Sequence, residues 1–206
     1  KLGYTGGGGG ANPACNRFGY GFVQGASAAA KEKGITVEIK YSYKYGSTFS
    51  ASTELQTQIA GWYASGTEVV FACGGSMFQS VLSAASEYEN AKIIGVDVDQ
   101  SAESSKVITS AMKGLSASVE RILGQFYEGK WDSELADKAQ NLGAAEGATG
   151  LPEDTWSMKN FTVEQYKALF KKVADGEIVP DSKTPDDANN ADWLKGIPNV
   201  TIDFEA

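Results

Sequence analysis

The residues best suited to hold a ligand by charge are Asp97, Asp99 and Lys113. Asp97 and Asp99 close the segment KIIGVDVDQ (Lys92 to Gln100), where an apolar run passes straight into acidic residues. Gly74, Gly75 and Ser76 close EVVFACGGS (Glu68 to Ser76) in a similar way. A carboxylate offers only acceptors, which suits a pair of ligand hydroxyls, whereas an ammonium offers three donors. An aspartate ending a buried apolar strand is costly unless it is hydrogen-bonded, so Asp97 needs a partner. Along a strand Asp97 and Asp99 point to the same side, and Asp99 is the better candidate for capping the next helix. Phe18 falls in the first turns of a helix near the same edge, where its ring either packs in the core or stacks on a ligand. Lys113 opens a helix, where the dipole disfavours a positive charge, and that conflict hints at a function.

Those residues need a rigid frame. Val69, Val70, Phe71 and Ile93, Ile94 are apolar at consecutive positions, so their strands must be covered on both faces, as in a parallel sheet between helix layers. In such sheets ligands bind outside the carboxyl ends of the strands, which places Gly74, Gly75, Ser76, Asp97 and Asp99 on one expected rim. The chain alternates accordingly: strand Leu2 to Thr5, helix Ala14 to Glu32 stopped at Gly34, strand Ile35 to Tyr43, helix Ser50 to Ala64, a strand from Glu68, helix Met77 to Tyr88 and strand Ile93 to Val98. Another strand, Val107 to Met112, leads into an amphipathic helix carrying Leu115, Val119, Ile122, Leu123 and Phe126. Trp131 to Thr155 reads as extended or looped, and Phe161 to Ala174 as a helix capped at Thr162. The tail from Pro180 reads as irregular with a late strand, Val200 to Phe204. The predicted class is α/β, a three-layer, mostly parallel, doubly wound sheet.

Composition removes several functions. A formal net charge of −8 leaves no basic surface for nucleic acid. With no histidine in 206 residues there is no Ser–His or Cys–His nucleophile pair and no imidazole base. A non-enzymatic protein without cofactor or metal is expected. The Gly6 to Gly10 run fits a GxGxxA pattern, as five glycines fit nearly any; the next strand ends Lys40, Tyr41, Ser42, Tyr43, without the acidic residue a dinucleotide site needs. A loop through which backbone approaches a neighbour is the better reading. Cys15 and Cys73 leave a bridge or two thiols open, and two free thiols are favoured. No apolar stretch reaches the ~20 residues of a membrane span. Lys1 enters directly on a strand without an initiator methionine, so a piece of a longer protein is expected.

The segments KLGYTGG, NRFGYGFVQGASAAA, EVVFACGGS, IIGVDVDQ and VITSAMKGLSASV, in that order, resemble the basic membrane protein family of bacterial substrate-binding lipoproteins, which has the type I periplasmic-binding-protein fold. GVDVDQ followed by SAMK is the most specific part. The resemblance implies a receptor for an ABC importer, working with a permease and its ATPase outside the cytoplasm on a lipid anchor, and binding purine nucleosides. It implies that Phe18 stacks on the base, Gly74 and Gly75 line the pocket beside Ser76, Asp97 takes ribose hydroxyls and Lys113 contacts the nucleoside from the hinge. The resemblance also implies a further N-terminal βα segment forming most of a first lobe and a lipid-anchored cysteine, both expected to lie outside the given residues.

On this basis residues 1–112 form ligand-binding lobe two, 113–140 a hinge crossing with a remnant of lobe one, and 141–206 a return to lobe two with the tail. The helix at 113–129, lacking its lobe, is expected to fold back on 1–112 or to self-associate. A receptor for a sugar or other small metabolite is the alternative on the same fold. A flavin- or nicotinamide-dependent oxidoreductase is a more distant one.

Overall fold

The computed structural model describes all 206 residues. Seven strands form one sheet: β1 (Leu2–Gly6), β2 (Val37–Ser42), β3 (Val69–Cys73), β4 (Lys92–Asp97), β5 (Val107–Lys113), β6 (Thr149–Gly150) and β7 (Val200–Glu205). Their order is β6-β5-β4-β3-β1-β2-β7. All neighbours are parallel except β5 and β6. The expected α/β class is therefore the observed one. The chain runs from β1 outward to β2 and then crosses back to β3 on β1's other side, so the connections diverge between β1 and β3. This is where a crevice opens at the carboxyl ends of the strands.

The helices are α1 (Pro13–Lys33), α2 (Thr53–Ala64), α3 (Met77–Ser86), α4 (Leu115–Tyr127) and α5 (Val163–Ala174). Local signals explain their limits. Asn12 caps α1 by accepting from the N–H groups of Ala14 and Cys15, Pro13 occupies the first turn, and Gly34 ends the helix in the left-handed region at φ 64°. Thr162 and Gln165 form a reciprocal capping box on α5.

Two apolar clusters lie on opposite faces of the sheet. Leu55, Ile59 and Trp62 from α2 and Phe78 and Val81 from α3 pack on Val70 and Ile93. On the other face Val23 of α1 meets Tyr4, Ile39, Tyr41 and Phe71. On that face α1 and α5 stand apart above β4 and β5, leaving an apolar groove of about 460 Å³ with Phe18, Phe71, Ala111, Tyr166 and Phe170 among its walls.

The glycine run is a packing device. Gly10, at φ 87°, donates no side chain because a Cβ there would sit 2.6 Å from the Asn189 nitrogen; its carbonyl accepts from Ala188 N–H at 2.9 Å. This tail contact continues into β7, which pairs with β2.

Two expectations need correction. Trp131 to Thr155 is not wholly extended or looped: Trp131–Leu135 forms a π-helical turn, while β6, paired with Met112 and Lys113, is extended as expected. The helix at 113–129 does not fold back on residues 1–112. α4 buries no residue, and its Phe126 packs edge-on against Trp131 of the following turn, with ring centres 5.9 Å apart. Leu115, Val119, Leu123 and Phe126 are all about half exposed.

Candidate functional site

β4 reaches the rim by an unusual route. Val98 N–H donates to the Val96 carbonyl at 2.8 Å, closing a three-residue γ-turn on Asp97, whose φ is 70°. For a residue with a Cβ this region costs roughly 1–2 kcal/mol. The turn is held from below by Gln100, whose side-chain oxygen accepts from Val96 N–H at 2.9 Å while its own N–H donates to Ser110 Oγ at 3.0 Å. Gly95 makes this possible, since a Cβ there would stand 2.6 Å from both Gln100 Oε1 and Ser110 Oγ.

The γ-turn breaks the strand alternation, and with it the expectation that Asp97 and Asp99 share one side. Asp97 turns toward Lys113, whose ammonium lies 2.7 Å from its Oδ1. Asp99 turns away. Its Oδ1 accepts from Ser101 N–H, capping the turn at 101–103, and its Oδ2 accepts from Thr155 at 2.7 Å. Burial pushes the Asp99 carboxyl up, but the hydrogen bonds from Thr155 and Ser101 outweigh it and the net displacement is downward. Asp99 is thus a cap, as one of its two sequence readings had it, and not a rim residue.

Lys113 is fixed at the end of β5, where β6 pairs Thr149 opposite it. Its ammonium also stands 5.3 Å above the centre of the Phe18 ring. Phe18 in turn meets Phe71 edge-on, the rings 88° apart, with centroids separated by 6.1 Å. A helix residue and the last residues of two neighbouring strands are thereby brought into one cluster. The ion pair is half-exposed on both sides, so it contributes at most about 1 kcal/mol to folding. Asp97 Oδ1 is shielded from water and meets the ammonium as a charge contact without hydrogen-bond alignment. Its acceptor capacity is not used up.

Gly74, Gly75 and Ser76 lie one strand nearer the β1/β3 divergence. A Cβ on Gly74 would approach Met77 Sδ at 2.8 Å and Gly7 N at 3.1 Å, and Ser76 Oγ donates to the Phe49 carbonyl at 3.2 Å. These three residues close the crevice floor against the segment around Phe49. The sequence reading missed Gln100, Ser110 and Thr149, which position Asp97 and Lys113 without being charged. The first two lie inside the GVDVDQ and SAMK segments, so the signal was present but carried no obvious chemistry.

A family model described as ABC transporter substrate-binding protein PnrA-like matches residues 1–183. The chain belongs to this PnrA-like family of ABC transporter substrate-binding proteins. It is 29% identical over 200 residues to a protein named ABC transporter nucleoside-binding protein BmpA, from Lactococcus lactis subsp. cremoris (strain MG1363), an alignment covering 89% of this chain and 53% of that relative. The PnrA-like chain thus spans about half the length of the curated relative it matches. Its fold matches the crystal structure of an ABC transporter system solute-binding protein from Aeropyrum pernix K1 with a TM-score of 0.67 at 22% identity, over 89% of this chain and 58% of that one. No helix of the chain is long and apolar enough to cross a membrane.

Proposed function

We propose that this chain is the second lobe of an extracytoplasmic receptor that binds purine nucleosides and delivers them to an ABC permease driven by its ATPase. The observation that carries the reading is the Phe18–Lys113–Asp97 cluster. It presents an aromatic ring, a cation 5.3 Å from the ring centre and, 2.7 Å from that cation, a carboxylate with spare acceptor capacity. A base stacks on the ring of Phe18, and two ribose hydroxyls satisfy Asp97 as Lys113 turns from the carboxylate to the ligand. Gly74 and Gly75 keep the floor low enough for a flat ligand, and Ser76 holds that floor in place. Binding and release, with no bond made or broken, is all that this cluster has to do.

The division of the chain follows from the same reading. Residues 1–112 and 141–206 build the lobe, and β6 at 149–150 is where the chain rejoins its sheet. Residues 113–140 form the crossing, which agrees with α4 packing on no sheet layer. A lipid anchor on the complete receptor completes this picture.

Saturation-transfer NMR tests the ligand class, since it detects the weak binding expected of a single lobe. Adenosine, guanosine and inosine should receive saturation at their base protons, and Phe18→Ala should abolish it. Transfer to free ribose equal to that of the nucleosides, unaffected by Phe18→Ala, would instead make this a sugar receptor. No transfer to any nucleoside would refute the proposal.

A further inference from the structure

The two cysteines belong to the core cluster against which Phe18 packs and have no part in the binding just described. Cys15 occupies the third position of α1, its N–H accepted by the Asn12 cap, so its sulfur stands at the electropositive end of a 21-residue helix. Cys73 ends β3 on the same face of the sheet. Cys15 Sγ is 3.7 Å from the Cys73 carbonyl, and both side chains belong to one packed cluster with Tyr4, Tyr43 and Phe71. Both thiols are free. No third histidine, cysteine or carboxylate joins them in a metal-binding set.

We propose that Cys15 and Cys73 form an oxidisable thiol pair, in which Cys15 reacts first with a small-molecule disulfide and Cys73 then closes an intramolecular bond. The roles follow from position. Cys15 keeps 6% of its surface open, against 2% for Cys73, so an incoming reagent meets Cys15. The hydrogen bond with Cys73 draws the Cys15 thiol down most, with help from the Gly7 backbone and the Lys113 charge, against burial and the opposing Asp97 carboxylate. The same hydrogen bond, burial and the Cys15 charge push Cys73 well up. Such an asymmetry gives one ready nucleophile and one resolving thiol.

The step balances. The Cys15 thiolate attacks one sulfur of the disulfide RSSR, its S–S bond breaks, and one RS⁻ leaves as the mixed disulfide forms on Cys15. Cys73 then attacks Cys15 Sγ and the second RS⁻ leaves, taking the Cys73 proton. Two thiols are oxidised and RSSR is reduced to two RSH. The new bond ties the first turn of α1 to the end of β3.

The folded chain should be incubated with 2-hydroxyethyl disulfide and followed by intact mass and by peptide mapping after alkylation. The wild type should end lighter by two hydrogen atoms, with the Cys15 and Cys73 peptides joined. Cys73→Ser should stop at a single adduct on Cys15. Cys15→Ser should leave Cys73 reacting at least about tenfold more slowly than Cys15 does in Cys73→Ser. Circular dichroism of both variants, with Cys15→Ala as a second replacement, confirms that folded chains are compared. A wild type that stays at the mixed adduct, that reacts only after unfolding in urea, or whose Cys73 reacts as fast without Cys15 would overturn the proposal.

Discussion

Val98 donates its backbone N–H to the carbonyl of Val96 at 2.8 Å, and the residue enclosed between them, Asp97, supplies the carboxylate of the proposed site. A glycine would occupy that left-handed position without strain, so the carboxylate stands there against the local backbone preference. Asp97→Gly and Asp97→Ala both remove the ion pair with Lys113, but only the alanine keeps the strain. Asp97→Gly should therefore unfold at higher denaturant than Asp97→Ala, by about 1 kcal/mol. Equal midpoints in urea would show that the turn relaxes once the carboxylate is gone.

The two aspartates should separate cleanly in ligand binding. Loss of a charged hydrogen-bond partner costs roughly 1.5–3 kcal/mol, or tenfold and more in Kd, and only Asp97 faces the cluster. Asp97→Ala should weaken nucleoside binding by at least that factor, whereas Asp99→Ala should change it little. NMR titration of both variants decides the matter, and a larger loss at Asp99 would reverse the assignment.

Asp99 has its own signature in acid. Its folded-state carboxyl lies below its ordinary value, so its contribution to stability is present above the unfolded-state value and is lost as pH falls through the folded one. Thr155→Val removes the bond that holds the 155 segment to Asp99. The variant should be destabilised near neutrality and converge on the wild type below about pH 3. Melting curves across that range would sink the idea if the gap persisted in acid.

The exposed face of α4 is the surface through which we expect self-association. Leu115, Val119, Leu123 and Phe126 leave a run of apolar area in water, at about 25 cal/mol per Å², that a second copy can bury. Light scattering at rising concentration should show a dimer, and Val119→Asp with Phe126→Asp should restore the monomer. A monomer at all concentrations would leave this face without such a role.

Much of this was readable because burial on both faces writes itself into consecutive residues. Val69 to Phe71 and Ile93 to Ile94 are apolar without alternation, and the strands they form are central in the sheet. The cluster was readable for a related reason: Asp97 and Lys113 close strands whose ends could be located, and Phe18 lies in the first turns of a helix whose start could be. β6 was not, because Thr149 and Gly150 form a two-residue strand too short to carry any periodicity. The parting of Asp97 from Asp99 was hidden too. Spacing of two predicts a shared side only while the strand stays extended, and the bonds from Gln100 that bend it lie in the backbone of Val96 and the hydroxyl of Ser110.

The pairing of β2 with β7 bears on how the molecule comes to be folded. Lys40 and Asp203, which face each other across that pair, stand 163 positions apart, and the Glu205 carboxylate accepts from Trp62 and Gln58 of α2. Contacts of such separation form slowly, since a large loop must close before any of them is gained. While the chain emerges from the ribosome, β1 to β5 can assemble with β2 as a bare parallel edge, open to other chains until β7 arrives. The acidic residues Asp203 and Glu205 then find Lys40 waiting on that edge, a charge that discourages unwanted strand pairing in the interval.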